Sequence, residues 1–113
     1  MSKTFEVVVK RVISQDDVDF LLDAALAGPV MADWCGLVEI GEEPTEKHSY
    51  LSEILTRGGT LEITDAEDDN VYELTLDKFL EAIGKVGVDF EDYDSVVADE
   101  VVQTAIFGEV VYG

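Results

Sequence analysis

The alternation of apolar and polar residues along the chain predicts both strands and helices. β-Branched residues with apolar side chains at alternate positions favour a first strand over Thr4–Ile13. A second short strand is predicted at Trp34–Ile40, before the loop GEEP. The closing residues GEVVYG have the composition of one more strand.

The strongest strand pattern lies within residues 60–75, where TLEIT and VYELT flank the polar hexapeptide DAEDDN. Two β-prone runs around such a turn-rich segment predict a hairpin. Alternation places Glu62 and Glu73 on its solvent side, close enough for like charges to repel. The residues predicted to face the core are Leu61, Ile63, Tyr72 and Leu74.

Helical spacing of apolar residues predicts four helices. Ser14 and Asp17 resemble a capping box before the first, which should end at Gly28-Pro29. Ser49 is predicted to cap a second helix that continues to Arg57. The apolar faces of these two helices comprise Val18, Leu21, Leu22, Ala25 and Leu26, and Tyr50, Leu51, Ile54 and Leu55.

The other two helices lie in the second half of the chain. Thr75 can cap a helix over Leu76 to about Val86, and a last helix is predicted from about Ser95 to Phe107. The order of elements indicates a single α+β domain over residues 1–113, with three to four helices packed on an antiparallel or mixed sheet. The residues predicted to be buried are Leu76, Phe79, Leu80 and Ile83 in the third helix, and Val97, Val101, Val102, Ala105 and Ile106 in the fourth.

Net charge adds a functional constraint to this pattern. Hydrophobic residues form 47% of the chain, enough for a folded core, so the acidity is not that of a disordered tail. The 26 acidic and seven basic residues give a net charge of −19, whereas a magnitude of roughly 2 to 8 keeps a small domain soluble. Such a surface disfavours direct binding to DNA, RNA or an anionic membrane and favours a basic protein surface or a cation as its complement.

The chain offers little that points to catalysis or a cofactor. Asp33, Cys35 and His48 are the residue types of a thiol site, but the negative field opposes formation of a thiolate. Gly58-Gly59 lacks the lysine and the spacing of a phosphate loop. We therefore predict no enzymatic activity, no catalytic residue and no cofactor.

Metal binding and export are also not indicated by the sequence. The hexapeptide DAEDDN lacks the glycine and glutamate spacing of an EF-hand, so we predict no metal site, although a weak calcium site at this tip remains an alternative. Cys35 is the only cysteine, and the chain carries no signal-peptide pattern and no apolar run long enough to span a membrane. These features favour a cytoplasmic protein.

The acidic residues concentrate in the second half of the chain, where residues 58–113 contain 15 acids and two lysines. Carboxylates spaced by two strand residues or one helical turn lie about 6–7 Å apart, comparable with neighbouring phosphates. We expect them to contact the partner. The predicted contact residues are Glu62, Asp65, Glu67, Asp68, Asp69, Glu73, Asp77, Glu81, Asp89, Glu91, Asp92 and Asp94.

Two segments, Tyr50–Gly87 and Ala105–Gly113, resemble small acidic proteins of unassigned activity carried by phages and mobile elements of Gram-positive bacteria. In size, charge and setting the chain is similar to anti-CRISPR and anti-restriction inhibitors, several of which imitate nucleic acid. The resemblance implies an inhibitor of a basic, nucleic-acid-binding host defence protein. It implies no site residues.

The alternative hypothesis is a structural or regulatory interaction module, which could be a homodimer. Exposed apolar side chains would form its interface, and the acidic surface would only be solvated. The candidates for that interface are Trp34, Phe107 and Tyr112. The sequence does not distinguish the inhibitor from the interaction module.

Overall fold

The computed structural model describes Lys3 and residues 12–113. The strand predicted at Thr4–Ile13 lies outside the described residues except for its last two positions, which belong to neither a helix nor a strand. The described part contains four helices and three strands, so the predicted α+β class is confirmed. The helices are α1 (Gln15–Ala27), α2 (Pro29–Trp34), α3 (Leu76–Val86) and α4 (Ser95–Phe107), and the strands are β1 (Cys35–Ile40), β2 (Leu61–Asp65) and β3 (Val71–Leu74).

Helix α1 begins and ends where the sequence predicts. The Ser14 hydroxyl accepts from the Asp17 backbone N–H at 3.1 Å, and the Asp17 carboxylate accepts from the Ser14 N–H at 3.0 Å. This reciprocal pair satisfies two donors that the helix itself leaves open. A Cβ on Gly28 would lie 2.8 Å from the Cβ of Ser95, so glycine allows the end of α1 to pack closely on the start of α4.

Helix α2 was not predicted, because Gly28-Pro29 indicates only the end of α1. Pro29 stands in the first turn of α2, where a missing N–H costs nothing and the fixed φ suits a helix. The helix is one and a half turns long and buries Met31 and Trp34. Strand β1 then starts at Cys35, one residue after the predicted start at Trp34, and ends at Ile40 as predicted.

The sheet is antiparallel with the order β1-β2-β3. The predicted hairpin is confirmed: Leu61 pairs with Leu74 and Ile63 with Tyr72, and their inward side chains join the core, Tyr72 being only partly buried. At the tip, the Asp68 carboxylate accepts from the backbone N–H of Asn70 at 2.9 Å, which stabilises the turn.

The helix predicted from Ser49 to Arg57 is wrong. Only Leu51–Glu53 forms a 3₁₀ turn, and turns continue to Gly58. The Arg57 carbonyl accepts from the backbone N–H groups of Thr45 and Glu46, which ties this segment to the preceding loop. Ile54 and Leu55 are buried as predicted, whereas Tyr50 and Leu51 are exposed.

Helix α4 is the centre of the packing, since it contacts α1, α2, α3 and β3. Its buried face meets Leu21 and Leu22 of α1 and Phe79 of α3. Leu80 is 38% exposed, so its predicted burial is wrong, while Phe79 and Ile83 are buried as expected. Residues 109–113 form no strand, contrary to the prediction.

Candidate acidic interaction surface

Three glutamates form one row across the outer face of the sheet. Glu39 of β1 pairs with Glu62 of β2, which pairs with Glu73 of β3, and all three are exposed. Neighbouring strands lie about 4.8 Å apart, and directly opposed like charges are unfavourable. Within the described residues none of the three forms a salt bridge. We call Glu39, Glu62 and Glu73 the glutamate row.

An apolar strip lies beside the glutamate row. Leu37, Thr64 and Val71 occupy the next register on the same face, and Leu37 and Val71 are about half exposed. Alternation explains this placement, because residues two positions apart on a strand share a face. The outer face of the sheet therefore combines carboxylates with exposed aliphatic side chains.

Glu39 was missed by the sequence reasoning. The strand Trp34–Ile40 was predicted without a register, so its alternation was not used to assign faces. Val38 and Ile40 are partly buried while Leu37 and Glu39 are exposed, which is the period-2 signal that could have identified Glu39.

Most of the predicted contact residues at the hairpin tip are exposed, with one exception. Glu67, Asp68 and Asp69 lie on the turn and face solvent. Asp65 is only 2% exposed, and its carboxylate accepts from the Glu67 backbone N–H at 2.8 Å and from the Tyr112 hydroxyl at 2.7 Å. The prediction of Asp65 as a contact residue is therefore corrected, because its oxygens are used inside the fold.

The remaining acidic side chains belong to α3 and to the connection that follows it. Asp77 and Glu81 are exposed on α3, where Glu81 lies 3.5 Å from Lys85. The carboxylates of Asp89 and Asp94 accept local backbone N–H groups, and Asp94 thereby caps α4. All the predicted residues of this connection are exposed: Asp89, Glu91, Asp92 and Asp94.

The connection and the hairpin tip have different neighbours. Burial raises the pKa of Tyr93 in the connection, and the nearby carboxylates of Asp17 and Asp23 on α1 raise it further. At the hairpin tip, the hydrogen bond to Asp65 raises the pKa of Tyr112, and the nearby charge of Glu67 raises it further. The structure thus divides the predicted contact residues among the sheet face, the hairpin tip and the region of α3 with its following connection.

The residue types of a thiol site do not form one. Burial raises the pKa of Cys35, and the carboxylates of Asp65 and Asp99 raise it further, which favours the protonated thiol. The Cys35 thiol lies 3.6 Å from the Leu37 carbonyl, and within residues 12–113 it makes no hydrogen bond with His48. Among the described residues no three histidine, cysteine, aspartate or glutamate side chains converge on a metal-sized site.

The aromatic residues predicted as an exposed interface pack on one another, with Trp34 buried and Phe107 and Tyr112 partly buried. Trp34 is buried and stacks on Tyr112, with ring centroids 5.8 Å apart, and Phe107 contacts both rings. The Trp34 indole N–H donates to Asp99 at 2.7 Å. The cluster is therefore part of the core, and the prediction of Trp34 as an exposed interface residue is corrected.

No helix in the described part of the chain has the length and apolar character needed to cross a membrane. No family model, no curated protein and no solved structure matches the chain.

Proposed function

We propose that this chain is a non-enzymatic binding protein that occupies the nucleic-acid-binding surface of a basic protein by imitating a phosphate backbone. The glutamate row is the observation that supports the proposal. The three carboxylates lie side by side and form no salt bridge among the described residues, although the Lys78 ammonium donates to the backbone carbonyl of Glu73 at 3.0 Å. Their mutual repulsion destabilises the isolated domain. Lysine and arginine side chains of a partner would remove that cost.

The spacing of the row supports the same proposal. The strands that carry the row lie about 4.8 Å apart, and repulsion between the glutamate side chains would spread their carboxylates toward the spacing of about 6–7 Å that is comparable with neighbouring phosphates. A surface lined with lysine and arginine to hold phosphates could therefore accept the outer face of this sheet. The exposed acids of the hairpin tip lie on the far side of the apolar strip and would supply a second patch of negative charge.

The partner we propose is a host defence protein that binds nucleic acid in the cytoplasm. This part of the proposal is supported by the chain's size, charge and resemblance to acidic proteins of mobile elements.

The apolar strip favours a second candidate function, a protein-interaction module that docks through aliphatic contacts. Leu37 and Val71 are half exposed on a face that a soluble domain would usually make polar. This module would bind with little salt dependence, since burial of apolar surface is not screened.

Affinity capture from a Gram-positive bacterial lysate distinguishes the two functions. The wild-type chain, a Glu39→Gln/Glu62→Gln/Glu73→Gln variant and a Leu37→Ser/Val71→Ser variant would be immobilised and washed at low and high salt. A Glu43→Gln/Glu46→Gln/Glu109→Gln variant is the matched control, because it removes three exposed charges outside the row.

For a mimic we expect capture of a nucleic-acid-binding protein that elutes with salt and with duplex DNA or RNA. The row variant should capture about tenfold less of it, an effect of roughly 1.4 kcal/mol, while the matched control captures nearly as much as wild type. Capture that survives high salt and competing nucleic acid, but is lost in the Leu37/Val71 variant, would replace mimicry by the apolar module.

A further inference from the structure

A second surface feature lies away from the sheet, between α1 and the turns at residues 50–57. It is a groove of about 340 Å³, within the size range of sites that hold small ligands or single side chains. One wall is α1, with Asp16, Phe20 and Asp23, and the other includes Tyr50. We call it the α1 groove.

The floor of the α1 groove is closed by internal ion pairs. The Arg57 guanidinium donates to Asp19 at 2.9 Å and to Glu53 at 3.1 Å, and the three side chains are mostly buried. The Thr56 hydroxyl also donates to Asp19, at 2.6 Å. Among the described residues, Arg57 is the one cation that lines the groove, and the two carboxylates of the floor already engage it.

The walls of the groove have no such partners. Asp16, Phe20 and Asp23 stand four and three residues apart, so they form one stripe along α1. Neither aspartate forms a salt bridge within residues 12–113. The described lining residues include four carboxylates and one guanidinium, which together give a net charge of −3.

Two aromatic rings are exposed at the same place. Phe20 is 63% and Tyr50 is 70% exposed, the largest exposed fractions among the aromatic side chains of the described chain. Large apolar side chains left in water cost free energy that burial would recover. A ring with carboxylates on either side of it is the arrangement that attracts a cation to an aromatic face.

We propose that the α1 groove binds an arginine side chain of a partner protein. A guanidinium can lie flat on Phe20 or Tyr50 while its N–H groups reach Asp16 or Asp23, and an ammonium cannot combine stacking with a forked contact. The groove shares no residue with the glutamate row, so it goes beyond the proposed function and does not depend on it.

Titration of the isotope-labelled chain with a blocked tripeptide, Ac-Gly-Arg-Gly-NH₂, tests this site by NMR. We expect saturable shifts of the backbone amides around Phe20 and Tyr50, with weak affinity because one side chain is bound. The citrulline analogue has nearly the same shape without the charge and should cause no saturable shift there. The lysine analogue should bind about threefold more weakly.

Phe20→Ala and Tyr50→Ala remove the exposed rings and should each weaken the arginine peptide about fivefold. Val96→Ala is the matched control, because it truncates an exposed apolar side chain on α4, outside the groove and the apolar strip. The Glu39→Gln/Glu62→Gln/Glu73→Gln variant should bind the peptide as wild type does, so the groove and the glutamate row can fail independently.

Equal shifts with the citrulline peptide, or unchanged affinity in both Phe20→Ala and Tyr50→Ala, would overturn the proposal. Shifts spread evenly over every acidic surface would also overturn it, since they would show charge attraction without a site. Equal binding of the lysine peptide would overturn the assignment to a guanidinium.

Discussion

The hydroxyl of Tyr112 donates a 2.7 Å hydrogen bond to the carboxylate of Asp65, which joins residues 109–113 to the base of the hairpin. The same segment is held from the other side by Gln103, whose amide oxygen accepts the backbone N–H groups of Val111 and Tyr112 at 2.9 and 2.8 Å. The ring of Tyr112 consequently covers Trp34. One side-chain amide and one phenol thus replace the backbone ladder that a final strand would have formed.

This hydrogen bond predicts that Tyr112 contributes to the dependence of stability on pH in the alkaline range. Together with partial burial, the bond to Asp65 raises the pKa of Tyr112 to about 12, against an unfolded value of about 10. Below pH 10 the phenol is protonated in both states, so its contribution to stability is constant. Above that pH the unfolded state loses the proton first, and the contribution declines as the pH rises from about 10 to about 12.

Tyrosinate absorbance measured against pH checks this prediction. The wild-type chain should show a component that titrates near pH 12, and Tyr112→Phe should lose it. Tyr72→Phe is the control, since the Tyr72 hydroxyl makes no hydrogen bond in the described structure. Persistence of the high-pH component in Tyr112→Phe would contradict the assignment.

Asp99 is expected to be the acidic residue that the fold tolerates losing least. Its side chain is 1% exposed, and it accepts from the Trp34 indole at 2.7 Å and from the Gln103 amide at 2.6 Å. Asp99→Ala leaves two buried donors without this acceptor, so we expect a loss of about 2–4 kcal/mol in the free energy of unfolding. Asp99→Asn keeps one acceptor oxygen and should lose less.

Urea unfolding followed by the fluorescence of Trp34, the only tryptophan, measures this loss. Glu100→Ala, at the next position of α4, is the control because its side chain makes no hydrogen bond or salt bridge within residues 12–113. If both alanine variants unfolded at the same urea concentration, the buried hydrogen bonds of Asp99 would contribute little.

Three elements of the fold that rest on local sequence signals were predicted correctly. The capping box at Ser14, the hairpin around DAEDDN and helix α3 each rest on contacts between residues close in sequence. Residues 109–113 could not be predicted in this way, because Gln103 and Asp65 satisfy their polar groups through side chains. Composition favours a strand there, but tertiary hydrogen bonds prevail over composition.

The candidate site shows the same division. Glu62 and Glu73 were placed on the outer face by alternation, and the register confirms that they are opposed. Alternation also places Asp65 on the inner face with Leu61 and Ile63, and counting charge without this pattern led to its prediction as a contact residue. The α1 groove joins residues more than 25 positions apart, so no local pattern indicates it.

Two glycines should respond oppositely to the same substitution. A Cβ on Gly59 would lie 2.6 Å from the Glu42 carbonyl oxygen and 2.8 Å from a methyl of Ile54, whereas one on Gly84 in α3 would meet nothing within 4 Å. Gly59→Ala should therefore destabilise the fold by about 1–3 kcal/mol. Gly84→Ala should stabilise it by about 0.5–1 kcal/mol through helix propensity.

Thermal unfolding of the two alanine variants checks this pair, each serving as the control for the other. Shifts of the midpoint in opposite directions are expected. A Gly59→Ala variant as stable as wild type would mean that the loop before β2 can move away from Glu42 without cost.

The glutamate row predicts a stability effect that depends on position within it. Glu62 has a like charge on each side, whereas Glu39 and Glu73 each have one. Opposed like charges cost about 0.2–1 kcal/mol per pair, so Glu62→Gln should stabilise the fold by roughly 0.4–2 kcal/mol and Glu39→Gln by about half as much. Both gains should shrink as salt is added, because exposed charges are screened over about 8 Å at physiological ionic strength.

Chemical unfolding by urea, which adds no charge, at low and high salt measures these gains. Glu43 is an exposed glutamate in the connection between β1 and β2, so Glu43→Gln is the control that reports the general effect of removing one charge. A larger gain for Glu62→Gln than for Glu43→Gln isolates the repulsion within the row from the repulsion of the whole acidic surface. Equal gains would mean that repulsion within the glutamate row does not destabilise the fold beyond the general effect of its negative charge. The physical argument that the row binds lysine and arginine side chains of a partner would then fail.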